Sequence, residues 1–130
     1  MEIRKITTSS APIPAGHYSQ AIVANGLVFI AGQLPIVPVT GERITGSIQD
    51  QTLQVLTNIK SIAEASGSRI EDIVKVTVYV TDINFWGDVN KVYSDFFGDH
   101  KPARAIVPVK DLHHGFKIEA DAIAVIPDSN

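Results

Sequence analysis

The clearest pattern in the chain is IVKVTVYVTD, residues 73–82. Val74, Val76, Val78 and Val80 alternate with Lys75, Thr77, Tyr79 and Thr81, and alternation of period two marks a strand with unlike faces. The same period runs through FKIEADAIAVI, residues 116–126. Its even positions, Phe116 to Ile126, are all apolar; its odd positions start with Lys117, Glu119 and Asp121 and end with Ile123 and Val125. Ala21–Ala24 and Leu27–Ala31 read as two strands joined by Asn25-Gly26, the strongest short hairpin signal. Residues 2–7 read as a short strand, and residues 103–109 as a buried strand interrupted by Arg104. Residues 8–17 and 34–46, punctuated by Pro and Gly, read as loops.

Two segments change period. Leu53, Leu56, Ile59, Ile62 and Ala63 recur at helical spacing. Ser47 opens that helix, with Asp50 standing where a capping box has Glu, and Gly67 ends it. A second helix is capped by Asp82 or Asn84, carries the stripe Val89, Val92, Tyr93 and Phe96, and stops at Gly98. Its periodicity also places Trp86 in the core.

The order is β, β-hairpin, α, β, α, β, β, which predicts one α+β domain over residues 1–130: a mixed sheet of five or six strands with two helices. Two helices cover one face of such a sheet. The valine face of 74–80 suits them. The other face is expected to carry Thr77, Tyr79 and the residues in phase with Arg104. It is too mixed for a core and too apolar for open water, which predicts contact with another subunit.

Composition narrows the function. Apolar residues make up 45% of the chain and charged residues 19%, less charge than an ordinary soluble monomer carries. The net charge is −3 and there is no basic stripe, so nucleic acid is not the expected partner. The absence of cysteine excludes disulfides, thiolate metal sites and cysteine nucleophiles. No run of 18 apolar residues spans a membrane. MEIRKITTSS has no apolar signal core, and a cytoplasmic protein is expected.

Two polar residues stand out on the strands. Arg104 is in phase with Ile106, and Glu119 opens the odd face of the last strand. Taken alone, an arginine on a strand is most often solvated or paired, and two acids two apart usually mark a wet face. The histidines, His17, His100, His113 and His114, read as structural or surface residues. Adjacent residues point apart, so His113 and His114 are not expected to chelate one metal together, and no HExxH-like ligand spacing occurs.

Seven motifs in chain order carry a resemblance: GHYSQ (16–20), FIAGQLP (29–35), QDQTLQVLTNIKSIAEASG (49–67), IEDIVKVTVYVTDI (70–83), VNKVYSDFFG (89–98), KPARAIV (101–107) and KIEADAIAV (117–125). Together they span most of the chain, and the sequence resembles the RidA (YjgF) family. The resemblance implies a chorismate mutase-like fold with both helices on one face. It implies a homotrimer whose sheets line a central barrel, with active-site clefts between subunits. It implies hydrolysis of 2-imino acids or 2-enamine tautomers to 2-oxo acids and ammonia, without a cofactor. Arg104 matches the arginine that grips the substrate carboxylate, a task for two parallel guanidinium donors. Glu119 matches the glutamate that activates water and shuttles a proton to the leaving nitrogen. Tyr18 and Asn90 match cleft positions, and Gly32 and Ile106 match backbone that contacts substrate.

The sequence departs from the family pattern at several of these places. His17 replaces a proline, Ala31 a serine, and Ile106 a Ser, Thr or Cys. IEADA stands for IEIEA, and His113-His114 for Pro-Lys. The lost hydroxyls at 31 and 106 imply a more apolar pocket and leave open a binding or regulatory protein of the same fold that turns over poorly. A ribonuclease or translation inhibitor fits the negative charge less well. A chaperone-like holdase is neither favoured nor excluded by the residues.

Overall fold

The computed structural model describes residues 1–128. Six strands form one sheet: β1 (Ile3–Ile6), β2 (Ala21–Ala24), β3 (Leu27–Gln33), β4 (Ile73–Val80), β5 (Ala103–Pro108) and β6 (Ile118–Val125). Their order is β1-β2-β3-β6-β4-β5. Every pairing is antiparallel except β4 with β5, which is parallel because helix α2 (Trp86–Phe97) carries the chain back between them. Helix α1 (Ile48–Ala65) connects β3 to β4.

Local chemistry explains most boundaries. Asn25 and Gly26 both have positive φ, 53° and 76°, as the tight turn between β2 and β3 requires. Ser47 Oγ accepts the Asp50 N–H at 3.1 Å and so caps α1. The end of α1 is a Schellman motif. Gly67 sits at φ 91°, its N–H donates to Glu64 O at 3.1 Å, and Ser68 N–H reaches back to Ala63 O at 2.9 Å. Asp82, not Asn84, is the cap before α2. Its Oδ1 accepts the Asn84 N–H at 2.9 Å and starts the 3-10 turn Ile83–Phe85 that runs into α2.

The core lies between one sheet face and the two helices. From α1 it takes Val55, Leu56, Ile59, Ile62 and Ala63; from α2, Val89, Tyr93 and Phe97. Against them lie Val76, Val78 and Val80 of β4 and Ile118, Ala120, Ala122 and Ala124 of β6. The three alanines keep the middle strand low, so α1 settles close to the sheet.

Four expectations need correction. A bulge between Ile73 and Lys75 changes the phase of β4. Ile73 therefore points into the core, whereas Val74, expected on the buried face, is 43% exposed. Leu53 lies off the buried stripe of α1, on the solvent side. Trp86 is not core either: it is 44% exposed at the first turn of α2, where the stripe Val89–Tyr93–Phe97 has left it outside. β5, read as buried, is an edge strand whose odd residues are exposed in the single chain.

Ala122 is flanked by Ile30 and Val76 under α1. Ala122→Leu is expected to lower the unfolding free energy by about 1–3 kcal/mol through overpacking, read as a lower denaturant midpoint at unchanged slope.

Candidate active site

Two buried side-chain amides shape the loops around the first cavity. Gln20, from GHYSQ, is almost wholly buried. Its Oε1 accepts the Thr8 N–H at 2.7 Å, and its Nε2 donates to Thr8 O at 3.0 Å, Ala11 O at 3.3 Å and Pro12 O at 2.9 Å. One side chain thus satisfies four backbone groups of an irregular loop. Asn58 of α1 does the same for the loop after β3, donating to Leu34 O at 3.2 Å and Ile36 O at 3.0 Å. The two loops face each other across a cavity of about 560 Å³.

The floor of this cavity comes from β3 and β6. Their register slips between Ile30 and Gln33, opening a bulge at Ala31-Gly32. Glu119 fills the opening. A Cβ on Gly32 would overlap Glu119 Oε2, so the carboxylate rests on bare backbone that only glycine provides. Tyr18, Gly32 and Glu119, three of the residues expected in the site, line this one cavity. Burial raises the pKa of the Glu119 carboxyl above its usual range; Asp121 adds to the rise and His113 opposes it. Asp121 is engaged by Tyr79, whose hydroxyl donates to Oδ2 at 3.0 Å.

Arg104 is elsewhere. In the β4–β5 register it lies opposite Val76, and Ile106 opposite Val78. Both therefore face the helix layer, not the uncovered face on which they were expected. The parallel pairing imposed by α2 sets this phase, and alternation within β5 alone does not reveal it. Glu119 lies opposite Tyr79, on the other face of the sheet. Ile106 packs against the edge of the core and does not line the cavity of Glu119.

Helix α2 builds a cradle for Arg104 from residues one helical face apart. Asn90 Oδ1 accepts from Nη1 at 2.9 Å. The guanidinium lies 4.7 Å from the Tyr93 ring centre and 5.6 Å from that of Trp86. Arg104 has no carboxylate partner among the described residues. Arg104, Asn90 and Tyr93 open onto a second cavity of about 330 Å³. The Tyr93 hydroxyl is buried without a hydrogen-bond partner, and burial pushes its pKa up to about 12. The expected site residues therefore fall into two groups within one chain: Tyr18, Gly32 and Glu119 on one, Asn90 and Arg104 on the other.

Sequence reasoning missed His113 and His114. Both line the cavity of Glu119. His114 adopts a left-handed backbone, φ 57°, which turns the chain so that adjacent imidazoles no longer point apart. Their ring centres are 4.4 Å apart. The one available signal was their replacement of the family's Pro-Lys.

A six-stranded mixed sheet carrying two helices, with a half-buried acid and an arginine without a carboxylate partner at its margins, defines the class, a two-layer α+β protein. The family model described as Endoribonuclease L-PSP matches residues 8–126, and the chain belongs to that family, the RidA/YjgF proteins. It is 53% identical over 119 residues to RutC family protein PH0854 of Pyrococcus horikoshii, covering 92% of this chain and 94% of that one. It is 38% identical over 123 residues to the 2-iminobutanoate/2-iminopropanoate deaminase of Dermatophagoides farinae, covering 95% and 96%. The crystal structure of Escherichia coli TdcF with bound serine superposes with a TM-score of 0.90 at 40% identity, covering 94% and 98%.

Gly32→Ala is expected to leave the fold intact, because the only atoms in the way belong to the flexible end of Glu119. The variant's crystal structure should show the carboxylate displaced by about 1 Å or more, a shift large enough to matter for positioned chemistry.

Proposed function

We propose that this protein hydrolyses 2-imino acids and their 2-enamine tautomers to 2-oxo acids and ammonia, in a site completed where a second copy of the chain brings its Arg104 to the cavity of Glu119. The observation that carries this reading is the division of the site. A half-buried carboxylate poised over Gly32 and an arginine with no acid partner lie on opposite faces of the sheet, and neither half can hold and attack a substrate alone. A homotrimer, in which each edge strand and α2 meet the next subunit's open sheet face, supplies that juxtaposition three times.

The roles follow from the geometry of each half. Arg104, steadied by Asn90 and flanked by two rings, keeps edge donors free for the substrate carboxylate. Fixing that end presents C2 to water. Glu119, with its pKa raised by burial, takes a proton from the water and returns it to nitrogen. Tyr18 and the Gly32 backbone border the reacting centre. Ile13, Ala31, Leu34 and Ile36 form an apolar wall, which favours imines with apolar side chains over the smallest ones. The deaminase name of the mite relative and the serine held by TdcF agree with an amino-acid-like substrate.

A binding or regulatory role has one observation in its favour, the absence of hydroxyls at Ala31 and Ile106. Micromolar binding of a 2-oxo acid with no imine turnover would establish it instead.

The test generates imines with an amino-acid oxidase and traps survivors with semicarbazide. The wild type is expected to suppress the trapped product, and Arg104→Lys, Arg104→Ala and Glu119→Gln to lose about 10²-fold or more in rate at unchanged assembly. Equal turnover by Arg104→Lys would remove the bidentate grip. Co-refolding Arg104→Ala with Glu119→Gln should restore about a quarter of the sites by random assortment, because each intact half comes from a different subunit. No recovery would place both residues in one subunit's site.

A further inference from the structure

Hydrolysis of an imine moves two protons. In R–C(=NH)–COO⁻ + H₂O → R–CO–COO⁻ + NH₃, the nitrogen gains two hydrogens and the oxygen loses two. One carboxylate that does all of this must take a proton from oxygen and pass it to nitrogen twice, reaching both atoms from one position. A second titratable group on the same cavity divides the labour.

The cavity of Glu119 holds such a group. His113 and His114 both line it, brought to the same side by the left-handed backbone of His114 and by Gly115, also at positive φ (72°). The two imidazoles are not equivalent. His114 stacks edge-on against His113 at 4.4 Å and against Phe116 at 5.8 Å, so it is held from two sides. Its pKa is lowered by burial first and then by Arg43 and His113, which favours the neutral ring. His113 is the histidine whose charge the Glu119 carboxyl feels. No backbone strain falls on His113 itself, since the positive φ belongs to its neighbour.

We propose that His113 is a second proton-transfer residue of this site, giving a proton to the substrate nitrogen while Glu119 removes one from the attacking water. This deepens the deaminase reading and rests on it. In the first step the water oxygen bonds to C2, its proton passes to Glu119, and the C2=N electron pair becomes a lone pair on nitrogen that accepts the His113 proton. A carbinolamine results. In the second step its hydroxyl loses a proton to His113, the C2=O bond forms, and C2–N breaks. Nitrogen takes the proton stored on Glu119 and leaves as ammonia. Both side chains end in their starting states, and no other reactant is needed. His114 holds the His113 ring at its angle and is a positioning residue.

The titratable and charged groups around His113 come from every neighbouring element. They are Glu119 with Asp121 behind it on β6, His114 and Arg43 on the adjoining loops, Tyr18 across the cavity, and Lys110 and Asp111 earlier on its own segment. A pH effect must therefore be assigned by variants.

The experiment compares wild type, His113→Gln and His114→Asn for kcat and KM against pH, using an apolar 2-imino acid made in situ. Glutamine keeps a polar side chain of similar reach but has no group that titrates near neutrality. Asparagine tolerates the left-handed backbone at 114. His113→Gln is expected to lower kcat by about 10–100-fold with KM within about twofold, and to remove one limb of the kcat–pH profile. His114→Asn should keep both limbs. An unchanged kcat and profile in His113→Gln, with the wild type active, overturns the role of His113 and leaves the deaminase reading standing. A wild type inactive toward every imine overturns both.

Discussion

The structure hangs on the strict alternation of β6. It is an inner strand, paired with β3 on one side and β4 on the other, so neither of its faces can be left unspecified. Ile118, Ala120, Ala122 and Ala124 are buried under α1, and their small size lets the helix lie close. The residues between them, Glu119, Asp121, Ile123 and Val125, are forced onto the open face. A slip of one residue would send an acid into the core and a row of alanines out. The position of Glu119 is thus set by the same period that builds the core, and the bulge at Ala31-Gly32 then clears the space it occupies.

Irregular backbone is expensive to fix, and here buried amides do it. Gln20 and Asn58 hold the loops that flank the Glu119 cavity, and Gln51 of α1 accepts the Lys117 N–H at 2.9 Å just before β6 begins. Each of these side chains is nearly inaccessible, and each replaces the hydrogen bonds that a strand or helix would have supplied. They make the walls of the cavity part of the folded core, so that a site built largely from loops keeps one shape.

How far the sequence could be read depended on whether a feature was local. The Asn25-Gly26 turn, the caps at Ser47 and Gly67 and the alternation of β6 are decided by residues a few positions apart, and the structure has them where the pattern puts them. The misplacements come from pairing. Val74 turned outward because a bulge against β6 consumed one residue of β4. Arg104 faces the helices because α2 returns the chain to a parallel edge position, a choice that no run of six residues contains. His113 and His114 line one cavity because a single positive φ cancels the divergence of neighbouring side chains. The family motifs pointed to Arg104 and Glu119, but contained nothing about their lying on opposite faces of one sheet.

That separation has an electrostatic consequence. A half-buried acid and an arginine in the same chain would ordinarily find one another, and a bidentate pair would leave neither free. The sheet keeps them apart. Arg104 is held instead by an amide oxygen and the faces of Tyr93 and Trp86, partners that fix a guanidinium without neutralising it. Glu119 is held by burial and by the bare backbone of Gly32, which constrain it without donating to it. In the proposed assembly, where a second copy brings these halves together, the substrate carboxylate would be the counter-ion for the arginine and would leave the glutamate available for the proton. An intramolecular salt bridge would have made the single chain more self-contained and the site inert.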